Sequence, residues 1–208
     1  MPRLKFNQDT SALVVVAHPD DETIWMGGMI MKHSKVRWTI FSLCRASDSD
    51  RAPKFKRVGK YYGARAIITD LEDEGKLSIA QTIPIIKKLI INKVGQEEFD
   101  CIFTHGANGE YGHPRHIGVH RAVKSLINCA KIKTKAIFYF NYQPISQKDF
   151  SLLKASPDSD YTLKLTKAEL LKKRKIVADM YGYAPDSIDV GYCTNPEAFK
   201  ITKIADNR

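Results

Sequence analysis

Two short stretches of this 208-residue chain concentrate imidazoles and carboxylates. The first, VVVAHPDDE at 14–22, runs from β-branched residues straight into His18, Asp20, Asp21 and Glu22. The second, THGANGEYGHPRHIGVH at 104–120, holds His113, His116 and His120. Neutral imidazoles and carboxylates are the donors that zinc and similar divalent ions accept, and a catalytic site keeps three protein ligands and an open position for water. A turn after residue 17 brings His18 and Asp21 toward one point, and residues three or four apart on a helix share a face, so His116 pairs with either His113 or His120. Read alone, the first stretch also fits a strand leaving the core, with Asp20 and Asp21 capping the next helix and Glu22 starting it. Two such clusters in one chain favour the metal reading.

The elements that must position these residues alternate in type. Apolar runs at 12–17, 36–43, 66–69, 99–104 and 135–141 read as strands, and YTLKL and FKIT as late edge strands. Helix-period segments lie at 22–33, 53–62, 83–94 and 116–129; in the third, Pro84 falls in the first turn and Ile86, Leu89, Ile90 and Val94 form one stripe. A last helix at 167–181 opens on a capping box, Thr166 with Glu169, and closes at Gly182. The pattern predicts one α/β domain over 1–208, a Rossmann-like α/β/α sandwich with a mostly parallel sheet. Ligands of such sheets bind beyond the carboxyl ends of the strands, which is where both clusters fall.

Composition narrows the function classes. The apolar fraction of 43% and charged fraction of 27% are those of an ordinary globular protein. No apolar run approaches the about 20 residues of a membrane span, and the polar start MPRLKFNQDTS does not read as a signal peptide, so a cytoplasmic location is expected. Cys44, Cys101, Cys129 and Cys193 are far apart and sit in or beside apolar segments, as reduced core thiols do. A net charge of +10 suits anionic partners, but the densest run, LLKKRKIVADM, reads first as a solvated helix face, and no nucleic-acid motif accompanies it. No GxGxxG or GxxxxGK[ST] follows the first strand either, and HPDDE in that place repels a pyrophosphate.

AHPDDE at 17–22 together with GHPRH at 112–116 resembles the PIG-L-type, or LmbE-like, zinc N-deacetylases, which remove N-acetyl groups from amino sugars and their conjugates. The resemblance runs from the first strand to the helix after GHPRH, and more weakly to the C-terminal helix. It implies that His18, Asp21 and His116 hold one zinc ion, with ferrous iron accepted by the same set. It further implies that Asp20 is the general base and that His113 stabilises the oxyanion or protonates the departing amine. Zinc chemistry fits these roles on its own terms, because amide hydrolysis needs an activated water and an oxyanion donor. The substrate implied is a small N-acetylated sugar or glycoconjugate; other non-sugar amides, or a non-catalytic metal- or sugar-binding protein of the same fold, remain as alternatives, and the oligomeric state stays open.

Some residues depart from the family pattern. Arg115 stands where many members carry an acid between the two histidines, and an anionic group on the substrate is one use for it. His120 is the rival third ligand, although Val119, Val123 and Leu126 place it beside a buried stripe. In SLCRASDSDRAPKF, Arg51 matches a family arginine and is a candidate substrate contact, equally readable as a surface residue. Tyr111, in the glycine-rich loop with Asn108 and Glu110, is a candidate substrate contact that reads as a lid residue or a core plug.

Overall fold

The structure is a computed structural model that describes residues 6–146 and 151–204. In chain order it contains β1 (Ser11–Val16), α1 (Asp21–Lys32), β2 (Arg37–Cys44), α2 (Arg51–Tyr61), β3 (Arg65–Leu71), α3 (Ile79–Val94) and β4 (Glu98–Thr104). A one-turn α4 (Gly109–Gly112), α5 (Pro114–Asn128), β5 (Lys133–Phe140), β6 (Tyr142–Pro144), β7 (Leu153–Ala155) and β8 (Tyr161–Leu163) follow. The chain ends with α6 (Lys167–Lys175), a π-helical turn (Ile176–Met180), α7 (Ile188–Gly191) and β9 (Glu197–Lys203).

Seven strands form one sheet in the order β3-β2-β1-β4-β5-β9-β8. The first five are parallel, and β9 and β8 close one edge antiparallel. The run VVVA is apolar throughout because both faces of β1 are covered. Ala12, Val14 and Val16 enter the core shared with α1, α2 and the C-terminal helix, and Leu13, Val15 and Ala17 enter the core shared with α3 and α5. The strand order reverses direction between β1 and β4, which opens a crevice beyond their carboxyl ends. The two clusters of the sequence lie there.

The predicted strands and helices are present, but α1 breaks at Met26, the predicted helix 167–181 turns π-helical from Ile176, and three further differences are local. The third helix begins at Ile79, four residues earlier than 83, on a capping box of Ser78 and Gln81, so Pro84 lies in its second turn. Cys129 is exposed, unlike the other three thiols, because it caps the end of α5 instead of entering it. The two-stranded β6–β7 ribbon has no counterpart among the predicted strands, since each strand is only three residues long. The Thr166–Glu169 box forms in both directions, and Gly182 closes the helix at φ 83°.

Candidate metal centre

His18 leaves β1 and Asp21 opens α1, while His116 lies in the first turn of α5. Their ring and carboxylate atoms converge. His18 Nδ1 is 3.3 Å from Asp21 Oδ2 and 3.3 Å from His116 Nε2, and His116 Nε2 is 3.4 Å from Asp21 Oδ2. Tetrahedral zinc with bonds of 2.0–2.1 Å spaces its ligand atoms by about 3.3–3.4 Å, so this triangle fits the ion that the donor set implies. Each imidazole also carries a carboxylate on its far nitrogen. His18 Nε2 lies 3.0 Å from Asp73 Oδ1 and His116 Nδ1 lies 2.6 Å from Glu110 Oε2. Donation to those carboxylates leaves His18 Nδ1 and His116 Nε2 as the lone-pair atoms at the centre. Asp21 is oriented by the indole of Trp25, which donates to Oδ1 at 2.9 Å, and by the backbone N–H of His18, which donates to Oδ2.

The other histidines sort by their hydrogen bonds. His105 Nε2 accepts the N–H of Ala17 at 3.0 Å and its Nδ1 meets Glu110 Oε2 at 2.8 Å, so both nitrogens are engaged although the ring stacks on His116. His113 Nδ1 accepts the N–H of Arg115 at 3.2 Å, which places the proton of the neutral ring on Nε2. Burial, with His116 and His18 beside it, lowers the His113 pKa to about 3, so at neutral pH it is an uncharged N–H donor. Of the two roles expected for His113, oxyanion donor or acid toward the amine, this form suits the donor. His120 bonds the carbonyl of His105 and packs on Tyr139, and it is not part of the triangle.

Asp20 sits beside the triangle at φ 121°, in a region L-residues rarely occupy. Such strain costs about 1–3 kcal/mol and persists where surrounding contacts over-determine it. Here they do. The backbone oxygen of Asp20 accepts from Thr23 and Ile24, its N–H donates to Glu22, and its Oδ2 receives both the Tyr183 hydroxyl and Arg51 Nη1 at 3.1 Å. Oδ1 has no partner among the described residues. Burial and the adjacent Asp21 raise the Asp20 pKa, while Tyr183, His18 and Arg51 pull it back. Burial also acts to raise Asp21, but His116, His105 and His18 outweigh it and hold that carboxyl well below its ordinary range. Glu110 behaves alike, brought to about 2 by His105 and His116 against its burial, and it too occupies positive φ, at 59°.

The centre opens into a cleft of about 350 Å³ lined by Trp25, Arg45, Arg51, Tyr111, Tyr183 and Asp189, among others. Tyr111 is 42% exposed and stacks on Tyr192, so it is a rim residue and not a core plug. Arg51 faces the cleft but is engaged with Asp20 and Tyr183. Two sequence readings are corrected. Arg115 is buried and points away from the cleft, because the carbonyls of Glu72 and Leu77 and the Glu72 carboxylate satisfy its guanidinium. Glu22 does more than start a helix, since it is fully buried and receives the Tyr181 and Thr23 hydroxyls. Sequence reasoning gave no role to Asp73, His105, Tyr183 or Asp189. His105 and Asp73 were findable, both falling just beyond parallel strands at the ligand-binding edge.

Fold and site together define a class: an open α/β protein with a candidate divalent-metal centre at its topological switch point. The chain belongs to the PIG-L (GlcNAc-PI de-N-acetylase) family, whose model matches residues 13–127. Solved structures share the fold at low identity. The N,N'-diacetylchitobiose deacetylase of Pyrococcus horikoshii superposes with a TM-score of 0.64 at 16% identity, covering 93% of this chain and 84% of that one. The A40926 pseudoaglycone deacetylase Dbv21 gives 0.63 at 13%, covering 95% and 99%. The 4-carboxy-2-hydroxymuconate hydratase GalB of Pseudomonas putida gives 0.64 at 14%, covering 96% and 99%. Among the described residues no helix is long and apolar enough to cross a membrane.

Proposed function

We propose that the chain is a metal-dependent hydrolase that removes the N-acetyl group from an amino sugar or glycoconjugate. The observation that carries this reading is the equilateral triangle of His18 Nδ1, Asp21 Oδ2 and His116 Nε2 with the Asp20 carboxylate beside it. Zinc suits the donors, and ferrous iron takes the same set. A cation held there supplies Lewis-acid polarisation of an amide carbonyl and a lowered pKa for a coordinated water.

The chain's own groups perform the proton transfers. Asp20 has Oδ2 occupied by Tyr183 and Arg51, so Oδ1 takes the proton of the attacking water and later passes it to the leaving nitrogen. His113 donates from Nε2–H to the oxyanion of the tetrahedral intermediate; one such donor is worth about 10²–10³ in rate. Tyr111 at the rim supplies an aromatic wall for a sugar ring, and Arg51 and Tyr111 remain the proposed substrate contacts. The four free cysteines support a cytoplasmic setting for this activity.

The test pairs metal analysis of the purified protein with acetate and amine release from a panel of N-acetylated sugars. Asp20→Asn and His113→Ala are expected to keep the metal and lose most turnover. Full metal occupancy with no acetate from any member of the panel would sink the sugar assignment. The hydratase of the same fold makes this outcome informative, because water addition to a carbon–carbon double bond releases no acetate.

A further inference from the structure

The positive charge of this chain is not spread evenly. Together α2, α6 and the π-turn hold ten of the 33 lysines and arginines but two of the 23 acids, an excess of eight cations against +10 for the whole chain. The helices are neighbours: Arg57 Nη2 donates to the carbonyl of Met180 at 2.7 Å, and Lys172 Nζ sits 5.5 Å over the ring of Tyr61. Some of the cations are engaged. Lys173 is buried against Glu197, Lys54 pairs with Asp50, and Arg51 serves the cleft. Lys56, Arg57, Lys60, Lys172, Arg174 and Lys175 are exposed and in no ion pair among the described residues.

Two apolar side chains stand among these cations, Tyr61 at 45% and Leu171 at 56% exposure. Basic residues interleaved with an aromatic and an aliphatic tip suit the headgroup layer of an anionic bilayer, where the cations meet lipid phosphates and the tips enter the acyl boundary. A nucleic acid calls instead for a groove with several stacking or base-reading groups, and of its described residues this flank exposes a single aromatic, Tyr61, among its cations. The flank also adjoins the cleft, since α2 begins at Arg51 and the π-turn leads into Tyr183.

We propose that the α2–α6 flank is a docking surface for an anionic lipid bilayer, with the cleft at its edge. The inference concerns binding alone and stands whether or not the chain deacetylates sugars. The test is co-sedimentation of the full chain with vesicles of phosphatidylcholine and with vesicles that also contain phosphatidylglycerol. Binding is expected to the second and not the first, and to fall as salt rises. Each cation near such a surface strengthens binding ~5-fold, so K56E/K60E/K172E/K175E is expected to weaken it by at least ~10²-fold. Y61A/L171A is expected to weaken binding while leaving it salt-sensitive. Circular dichroism checks the fold, and K56E/K60E alone carries the test should the quadruple variant fail to fold. Equal binding to both vesicle types, or charge-reversed variants that bind as the parent does, overturns the proposal. So does a single-stranded oligonucleotide that binds through the same lysines more tightly than the vesicles.

Discussion

Asp20, the proposed general base, has one carboxylate oxygen tied down by its surroundings and the other left free among the described residues. Its Oδ2 takes a hydroxyl and a guanidinium, and this leaves Oδ1 as the free basic atom beside the candidate metal ligands. Removing the Tyr183 hydroxyl deletes a hydrogen bond to a charged group, worth about 1.5–3 kcal/mol. Tyr183→Phe is therefore expected to lower kcat by ~10- to 100-fold with little change in KM and none in metal content. Equal kcat in the two proteins would remove Tyr183 from the machinery. Glu110 acts on the other side, where its carboxylate fixes which nitrogen of His116 faces the centre. Glu110→Gln is expected to weaken metal affinity by ~10- to 100-fold, read by competition with a chromophoric chelator, without unfolding the chain. The donor types were legible in HPDD and HxxH, but spacing left His113 and His120 open beside His116, and only the family resemblance singled out the three residues that the fold brings together. The supporting groups of the triangle were not legible. Asp73 is 55 residues from His18 and Tyr183 is 163 from Asp20, so only the folded chain brings them together. Arg115 misled for the opposite reason: it is adjacent to His116 in sequence, yet neighbouring residues on a helix point about 100° apart.

At the scale of elements, α1 holds the least expected feature. DETIWMGGMIMK reads as one continuous helix, but it breaks at Met26, where φ is −147°. The break frees the N–H groups of Gly28 and Met29, and buried Glu197 of β9 accepts both, at 2.7 and 2.8 Å. The same carboxylate meets buried Lys173 of α6 at 2.7 Å, so two distant elements, β9 and α6, lock the helix that carries Asp21. Glu197→Ala strands a buried ammonium and is expected to cost about 3–5 kcal/mol, read as a lower denaturant midpoint. A change under 1 kcal/mol would show that water replaces the carboxylate. The five parallel strands were readable as short apolar runs and the helices between them by their period; YTLKL falls on the edge strand β8 as expected, whereas FKIT falls on β9, which is not an edge because β5 and β8 pair with it on either side. Breaks and ribbons escaped because they depend on distant partners: the α1 break on Glu197, and β6 on its pairing with β7.

Across the whole molecule, the candidate centre joins segments that the sheet alone leaves separate. His18 and Asp21 come from the β1–α1 connection and His116 from α5, while Asp73, from the β3–α3 connection, braces His18. A cation binding the folded arrangement and not the unfolded chain stabilises by mass action, about 2.7 kcal/mol at 100 times its Kd. Zinc should therefore raise Tm in a concentration-dependent manner and a chelator should lower it. Asp20→Asn is expected to retain that shift and Asp21→Asn to lose most of it. The pH dependence has a definite sign. Burial acts to lower the His18 pKa, but Asp21 and Asp73 outweigh it and raise the ring to about 10 when no cation is bound. Below that pH a proton competes for the ring, so metal uptake displaces it, and affinity rises by about tenfold per pH unit through the neutral range. Calorimetry in two buffers of different ionisation enthalpy counts the proton released. A zinc shift that is as large in Asp21→Asn as in the parent, or uptake with no proton release at neutral pH, would place the cation somewhere other than this triangle.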